Sequence, residues 1–158
     1  MLVVVSPDIR AEPGTVRRLV EGAFDGVDAE GVEIRVEAAR RSGESFSGRA
    51  YPEPPRRPRP HPSTRYLVRL WLPRTLRDRG YPRSYRYVRR STAPWITVGN
   101  WRERLVALAA HEAFHVRQFR EGLRRSEVQA ERWALQTLER WRARPAEERS
   151  EQLALWLS

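Results

Sequence analysis

The stretch LVALAAHEAFHVRQFREG, from Leu105 to Gly122, places two histidines four residues apart within a mainly apolar run. On an α-helix, side chains at positions i and i+4 project from the same face, one turn apart. The imidazoles of His111 and His115 are therefore expected to point at one place. The run 105–110 is apolar on every side, which is typical of a helix buried almost all round. The stretch thus predicts a buried helix that carries a pair of nitrogen ligands.

The ends of this helix carry recognisable capping residues. Asn100, followed at the third position by Glu103, forms a capping-box pattern, in which each side chain accepts a hydrogen bond from a free backbone amide of the first turn. At the other end, Gly122 stands where a left-handed residue commonly closes a helix. The helix is therefore predicted to begin at Trp101 and to end just before Gly122.

The segment HEAFH fits the requirements of a zinc site. A catalytic zinc ion binds nitrogen at roughly 2.0–2.1 Å and keeps three protein ligands and one open position. Glu112, next to His111, can reach a zinc-bound water without binding zinc. The alternative is a pair of hydrogen-bonded core histidines with Glu112 as a surface charge, but burying these groups together costs several kcal/mol unless something pairs them. The pattern favours a Zn²⁺ site with His111 and His115 as ligands.

A second helix is predicted from Ser126 to about Arg144, because Ser126 and Gln129 form another capping-box pattern. One stripe along it begins with two glutamates and continues with apolar residues: Glu127, Glu131, Ala134, Leu138 and Trp141. Both carboxylates are therefore expected on the inward face. A short turn around Gly122 folds the two helices antiparallel, which brings Glu127 back beside the first helix.

The third ligand has to come from one of these carboxylates or from His61, the remaining histidine. His61 lies in the proline-rich segment 52–62, which has few backbone donors for a sheet and is predicted to be an exposed, extended loop. His61 is therefore an alternative ligand or a group on the substrate side. The loop itself is most simply a spacer.

HEAFH followed by EVQAE resembles the gluzincin clan of zinc metallopeptidases, in which a helical His-Glu-x-x-His precedes Glu-x-x-x-Asp on a later helix. The resemblance covers about a quarter of the chain. It implies that His111, His115 and Glu127 bind zinc. It further implies that Glu112 is the catalytic base and that Glu131 supports the first histidine through its outer nitrogen. Glu131 departs from the usual pattern by being one methylene longer than Asp.

The remaining segments predict a small sheet that precedes these helices. Apolar or alternating patterns predict strands at 2–5, 31–38, 45–51, 64–73 and 95–98. An amphipathic helix is predicted after Pro13, and the strands 31–38 and 45–51 are able to pair as a hairpin. We expect one α+β domain over 1–158: a small, twisted, mostly antiparallel sheet with an N-terminal helix, then three C-terminal helices, the last beginning at Pro145.

Length and composition exclude several classes of protein. A chain of 158 residues is most naturally one domain. The absence of cysteine excludes disulfides, thiolate zinc ligands and cysteine nucleophiles. No apolar run approaches the length of a membrane span, and the first residues lack the pattern of a signal peptide. We therefore expect a soluble, cytoplasmic protein with no membrane partner.

Arginine dominates the charge of the chain. The net charge is +10, and all 30 basic residues are arginine, which suits phosphate or carboxylate partners. Tyrosine and arginine are interleaved in the segment 77–90, which is typical of a surface that binds single-stranded nucleic acid. Two simpler interpretations are biased codon usage and an arginine-rich loop over the active site that favours acidic substrates.

These features together predict a zinc metalloendopeptidase that acts on a peptide or protein substrate. Glu112 would remove a proton from the attacking water and pass it to the leaving amine. Tyr81, Tyr85, Tyr87 or an arginine of the same loop would stabilise the oxyanion. The substrate would add as a strand to an exposed sheet edge, either on the strand before the site helix or on 64–73. The alternative is a catalytically silent, zinc-stabilised basic module that binds nucleic acid or protein.

Overall fold

The computed structural model describes residues 1–40, 45–57, 59–87, 89, 92–145 and 148. In chain order, these residues form β1 (Leu2–Val5), α1 (Pro13–Ala23), β2 (Val32–Ala38), β3 (Ser47–Tyr51), β4 (Tyr66–Leu72), β5 (Arg83–Tyr85), β6 (Ile96–Val98), α2 (Trp101–Arg120) and α3 (Glu127–Ala143). The predicted α+β class, N-terminal helix and first two C-terminal helices are confirmed. The third, from Pro145, falls almost wholly outside the described residues. No helix in the described part has the length and apolar character needed to cross a bilayer.

Four strands form a mixed sheet in the order β1-β2-β4-β3. β1 is parallel to β2 and β2 to β4, whereas β3 runs antiparallel to β4. The expected mostly antiparallel sheet is thus corrected to a mixed one, and β3 pairs with β4 instead of forming a hairpin with β2. Because α1 connects β1 to β2, the chain returns in the same direction. The more buried strands β2 and β4 take the centre, and the more exposed β3 lies at an edge.

A second, two-stranded sheet pairs β5 with β6 in antiparallel register. β5 lies within the segment 77–90, in which tyrosine and arginine are interleaved and for which the sequence predicts no strand. The pairing is reinforced by the hydroxyls of Ser84 and Thr97, which are 2.7 Å apart. It holds Tyr85 against α2, where the guanidinium of Arg104 lies 4.2 Å from the centroid of the tyrosine ring.

α2 is the central helix and packs against α1, α3 and β3. It begins at Trp101 as predicted, and all of 105–110 is buried. Asn100 Oδ1 accepts a hydrogen bond from the backbone N–H of Glu103 at 2.9 Å, which confirms half of the capping box. The carboxylate of Glu103 accepts from Gly99 instead of Asn100. Gly122 follows the helix with φ of +64°, the left-handed conformation expected there.

α3 runs back along α2 with its predicted stripe turned inward. Ser126 Oγ caps it by accepting from the backbone N–H of Gln129 at 3.3 Å. Glu131 and the apolar members of the stripe are buried. Near the other end, Arg142 Nε donates to Glu103 Oε1 at 3.0 Å, which ties the end of α3 to the first turn of α2. The two helices therefore form an antiparallel hairpin.

The described residues of the proline-rich segment 52–62 form turns and irregular structure and are mostly exposed, as predicted. Its end is fixed to the sheet, because the backbone N–H of His61 donates to Glu33 Oε1 at 3.1 Å. Glu33 is buried on β2 and also accepts from Arg35. Arg35 Nη2 also donates to the backbone oxygen of Arg59 at 2.7 Å, so the segment connects β3 to β4 as a surface loop held to β2 at two points among the described residues.

Candidate metal centre

Three side-chain atoms from α2 and α3 converge on one point. The Nε2 atoms of His111 and His115, one turn apart on α2, are separated by 3.1 Å. Glu127, the first residue of α3, places Oε2 at 2.9 Å from His111 Nε2 and 3.3 Å from His115 Nε2. In a tetrahedral zinc site, neighbouring ligand atoms are roughly 3.3 Å apart. The three atoms are thus spaced like ligands of a single metal ion.

The outer nitrogen of His115 fixes the tautomer of this ring. His115 Nδ1 lies 2.9 Å from Gln118 Oε1, which is also 3.4 Å from the backbone nitrogen of Ser126. An amide oxygen can only accept hydrogen bonds, so Nδ1 carries the proton and Nε2 presents a lone pair. Because Gln118 accepts from Ser126 as well, it links His115 to the residue that caps α3.

Glu131 lies beside the outer nitrogen of His111, as Gln118 lies beside that of His115. Its Oε1 lies 2.6 Å from His111 Nδ1, and its side chain is largely buried. A carboxylate beside Nδ1 favours the tautomer with the proton on that nitrogen, which leaves the Nε2 lone pair directed toward Glu127. Two lone pairs and a carboxylate oxygen therefore face one another. Such an arrangement is repulsive unless a cation or a proton lies between them.

A proton can compete with a metal ion for this place. Burial lowers the pKa of His111, but the hydrogen bond to Glu127 and the contact with Glu131 outweigh it and raise the pKa to about 9. The hydrogen bond from His111 lowers the pKa of Glu127 to about 2. Burial, together with the charge on His111, lowers the pKa of His115 to about 4. Metal binding would therefore release a proton from the group.

We call His111, His115 and Glu127 together the metal-binding group. Glu112 lies beside this group, and its carboxylate is buried. It is 3% exposed, and the backbone N–H of Ala50 on β3 donates to it. Its Oε2 has no hydrogen-bond partner among the described residues. A buried oxygen without a partner is costly, which points to a molecule that binds there. Burial raises the pKa of Glu112 to about 7, so the carboxyl can both accept and return a proton near neutral pH.

β3 forms one wall of the cavity that contains Glu112. A Cβ atom at Gly48 would lie 2.9 Å from both Cγ and Oε1 of Glu112. Glycine is therefore the residue that lets the strand approach the carboxylate this closely. β3 pairs with β4 on one side, and its other side has no partner among the described strands. The edge of β3 is thus free at the site.

This free edge differs from the two that the sequence suggests. β4 pairs with a strand on each side and offers no edge. β6, the strand before α2, pairs with β5 and contributes no described residue to the walls of the cavity. The cavity has a volume of about 430 Å³ and is bordered by Ser47 and Gly48 of β3. The expected edge on 64–73 is therefore wrong, because β4 is enclosed by strands from distant parts of the chain. The expected edge on β6 lies outside the described walls of this cavity.

Two of the three candidate tyrosines line this cavity. Tyr85 and Tyr87 are in its walls, whereas Tyr81 lines a separate cavity of about 50 Å³ beside Trp101. Arg104 Nη1 donates to Tyr85 Oη at 3.3 Å. Burial raises the pKa of Tyr85 to about 12, so its hydroxyl remains protonated and able to donate near neutral pH.

His61 is not part of the group. Its Nδ1 is 2.7 Å from Ser63 Oγ, and its ring is exposed. Within the described ranges, the residues that can hold a metal ion together are His111, His115 and Glu127. The structure therefore brings together the ligands that the helix pattern and the resemblance suggest, and leaves the alternative ligand outside.

Two residues of this site, Gln118 and Arg125, are not among those predicted from the sequence. Gln118 lies three residues after His115, a spacing that places both on one helical face, so a signal for it is present in the sequence. Arg125 lies in the turn before α3, where no periodicity marks it. Its Nε donates to Glu127 Oε1 at 2.9 Å. This contact orients the carboxylate so that Oε2 faces the histidines.

Comparisons with protein-family models, with curated proteins and with solved structures gave no match. The assignment of the site therefore rests on the geometry of this chain. In the described residues, that geometry supports a His-His-Glu group that can hold a metal ion.

Proposed function

We propose that the protein is a zinc-dependent metallopeptidase of the gluzincin type, which hydrolyses bonds in a peptide or protein substrate. The main support is the position of Glu112, which lines the cavity beside the metal-binding group. Its buried Oε2 has no hydrogen-bond partner among the described residues. Three protein ligands next to a cavity fit a catalytic zinc site, whereas structural zinc sites have four protein ligands.

The donor set favours zinc. His111, His115 and Glu127 would hold the ion through two imidazole nitrogens and one carboxylate oxygen, a ligand combination that occurs in catalytic zinc sites. When bound, zinc would supply the Lewis acidity that polarises the substrate carbonyl and lowers the pKa of a water molecule. Gln118 and Glu131 would keep both rings in the tautomer that binds metal.

Glu112 would move the proton during hydrolysis. Its Oε2 would take a proton from the attacking water as the new C–O bond forms at the carbonyl carbon. The same carboxyl would then give this proton to the amide nitrogen as the C–N bond breaks. A pKa that burial raises to about 7 suits both transfers near neutral pH.

Tyr85 and β3 would position the substrate. Tyr85 lines the cavity and keeps its proton, so it can donate to the carbonyl oxygen that gains negative charge. The free edge of β3 can pair with an extended peptide through backbone hydrogen bonds. Because Gly48 lies against Glu112, a peptide paired there would have its backbone next to the proposed base.

The variant Glu112→Gln separates metal binding from catalysis. Its zinc content, measured by elemental analysis, is expected to equal that of the wild type because Glu112 is not a ligand. Cleavage of unfolded casein is expected to fall by about 10²–10⁴-fold. Glu121→Gln, at an exposed position at the end of α2, is the control and should change neither quantity. Equal zinc in both proteins, with no cleavage of casein or of a peptide library by the wild type, would contradict the enzyme proposal.

The second candidate function is a catalytically silent, zinc-stabilised basic module that binds nucleic acid or protein. The observation that favours it is a group of exposed arginines beside the site: Arg89, Arg124, Arg125 and Arg132. In that case zinc would raise thermal stability without supporting cleavage. A labelled oligonucleotide would bind with an affinity that falls steeply as salt is raised. Oligonucleotide binding that is absent or insensitive to salt would exclude the nucleic-acid function.

A further inference from the structure

A second cleft opens beside the metal-binding group. It shares Tyr87, Arg125 and Glu127 with the central cavity, so the two are neighbours. Its volume is about 990 Å³. Four exposed arginines line it, and we call it the arginine cleft after them: Arg89, Arg124, Arg125 and Arg132. A peptide that leaves the metal site on this side would pass these guanidinium groups.

The arginine cleft has a positive charge that its own walls do not neutralise. Glu127 is the one carboxylate among its described lining residues, and its oxygens already contact Arg125 and the two histidines. Arg124 and Arg132 form no ion pair with any carboxylate in the described part of the chain. Their guanidinium groups can therefore bind an incoming carboxylate through paired hydrogen bonds.

The surroundings of the cleft favour an acidic peptide over a nucleic acid. Stacking of bases needs exposed rings, but Tyr81 and Tyr85 pack against the hydrophobic core. Tyr87, the one tyrosine among the described residues of the cleft, is partly buried. The adjoining cavity is lined by three carboxylates and by three guanidinium groups: Glu112, Glu127, Glu131, Arg86, Arg104 and Arg125. Its walls therefore lack the net positive charge that a continuous phosphate backbone needs. A peptide paired with β3 has a neutral backbone at this point. It can pass the carboxylates and still present an acidic side chain to the arginines.

We propose that the arginine cleft is a specificity subsite that takes an Asp or Glu side chain of the substrate peptide. This inference rests on the proposed function, because it concerns how the same site selects its substrate. Arg124 and Arg132 supply most of the selectivity, because they belong to the helical hairpin that carries the proposed metal ligands. Arg125 is already paired with Glu127, and Arg89 lies outside this hairpin. The enzyme therefore prefers peptides that carry an acidic residue near the cleaved bond.

Binding to the zinc-loaded Glu112→Gln protein tests the subsite without cleavage. Two fluorescein-labelled peptides are compared by fluorescence anisotropy, identical except that the Glu residues of one are Gln in the other. The Glu peptide is expected to bind about tenfold more tightly, because its carboxylates make charge-assisted hydrogen bonds to the arginines. Adding Arg124→Gln and Arg132→Gln should bring the two affinities to within about threefold of each other.

The matched control adds Arg10→Gln and Arg17→Gln instead. These arginines are exposed and do not line the cleft, so the same charge is removed elsewhere. This control should keep the full preference for the Glu peptide. A parallel measurement with a labelled oligothymidylate compares the other class of anionic partner.

Several results would overturn the subsite. One is equal binding of the two peptides by the zinc-loaded Glu112→Gln protein. Another is a preference for the Glu peptide that survives the loss of Arg124 and Arg132. The third is tighter binding of the oligothymidylate than of the Glu peptide. Failure of the proposed function has a different outcome: the wild-type zinc protein would cleave neither peptide, while the Glu112→Gln protein would still prefer the Glu peptide.

Discussion

Replacing Gln118 by leucine tests whether the two helices hold the metal site as one unit. Gln118 is fully buried, and its Oε1 accepts from His115 Nδ1 at 2.9 Å and from the backbone nitrogen of Ser126 at 3.4 Å. Leucine fills a similar space but accepts no hydrogen bond, so both donors lose this partner. One donor belongs to a proposed metal ligand, and the other belongs to the residue that caps the helix carrying Glu127.

The expected loss appears in both stability and metal affinity. A buried donor left without a partner costs about 1–3 kcal/mol of unfolding free energy. His115 is 0% exposed and cannot turn to water, whereas the longer contact at Ser126 contributes less. Removal of the outer hydrogen-bond partner of a metal-binding histidine typically weakens metal binding about 10–100-fold. We therefore expect Gln118→Leu to be destabilised by about 2 kcal/mol and to bind zinc about 10–100-fold more weakly.

Two controls separate positioning from general destabilisation. Gln118→Glu keeps an acceptor and should hold zinc within about threefold of wild type. Thr137→Val removes another buried acceptor, which Arg140 uses at 3.1 Å, and should lower stability without changing zinc affinity. Zinc affinity is measured by competition with a chromophoric chelator, and stability by urea unfolding. Wild-type zinc affinity in Gln118→Leu, or an equal loss of affinity in Thr137→Val, would refute the positioning role.

Two further predictions concern β3 and Tyr85. Gly48→Ala places a Cβ 2.9 Å from Glu112 Oε1, so it should displace the carboxylate and lower peptidase kcat by at least about tenfold at unchanged zinc content. In the control Gly22→Ala, the atom nearest to the new Cβ would be 3.6 Å away, so kcat should not change. A normal kcat in Gly48→Ala would show that the close approach of β3 to Glu112 is not needed. Burial raises the pKa of Tyr85 from 10.0 to about 12, so the stability that this phenol contributes is present below pH 10.0 and is lost as pH rises through about 12. The tyrosinate absorbance of wild type and Tyr85→Phe should differ by one late-titrating phenol; a difference that titrates at pH 10.0 would contradict the burial argument.

The two helices of the site are predictable because their signals are local. Asn100, Ser126 and Gly122 mark helix ends within one turn of the residues they cap. The spacing of His111 and His115 fixes their common face, and a short turn returns α3 to it. These features depend on the nearest few residues, so the sequence alone is sufficient to place most of the metal-binding group.

The sheet around the site is not predictable in the same way. The place of β3 at an edge depends on β4 inserting between β2 and β3, which is a pairing between distant segments. Gly48 therefore carries no local signal of its contact with Glu112. The period-two pattern of 31–38 is compatible with parallel and antiparallel neighbours alike, so strand direction is decided by α1 and the connections.

The three donor atoms come from a single helical hairpin, and the most distant pair is separated by only 16 residues. Closing so short a segment costs little conformational entropy, so ion capture depends little on the rest of the chain. The proposed base is positioned differently, since Glu112 contacts Gly48 and Ala50 of a strand that is distant in the sequence. A substitution can therefore abolish the proposed peptidase activity without abolishing metal binding. Under the proposed function, a descendant of this chain with an altered β3 would still bind the metal ion after it had lost peptidase activity.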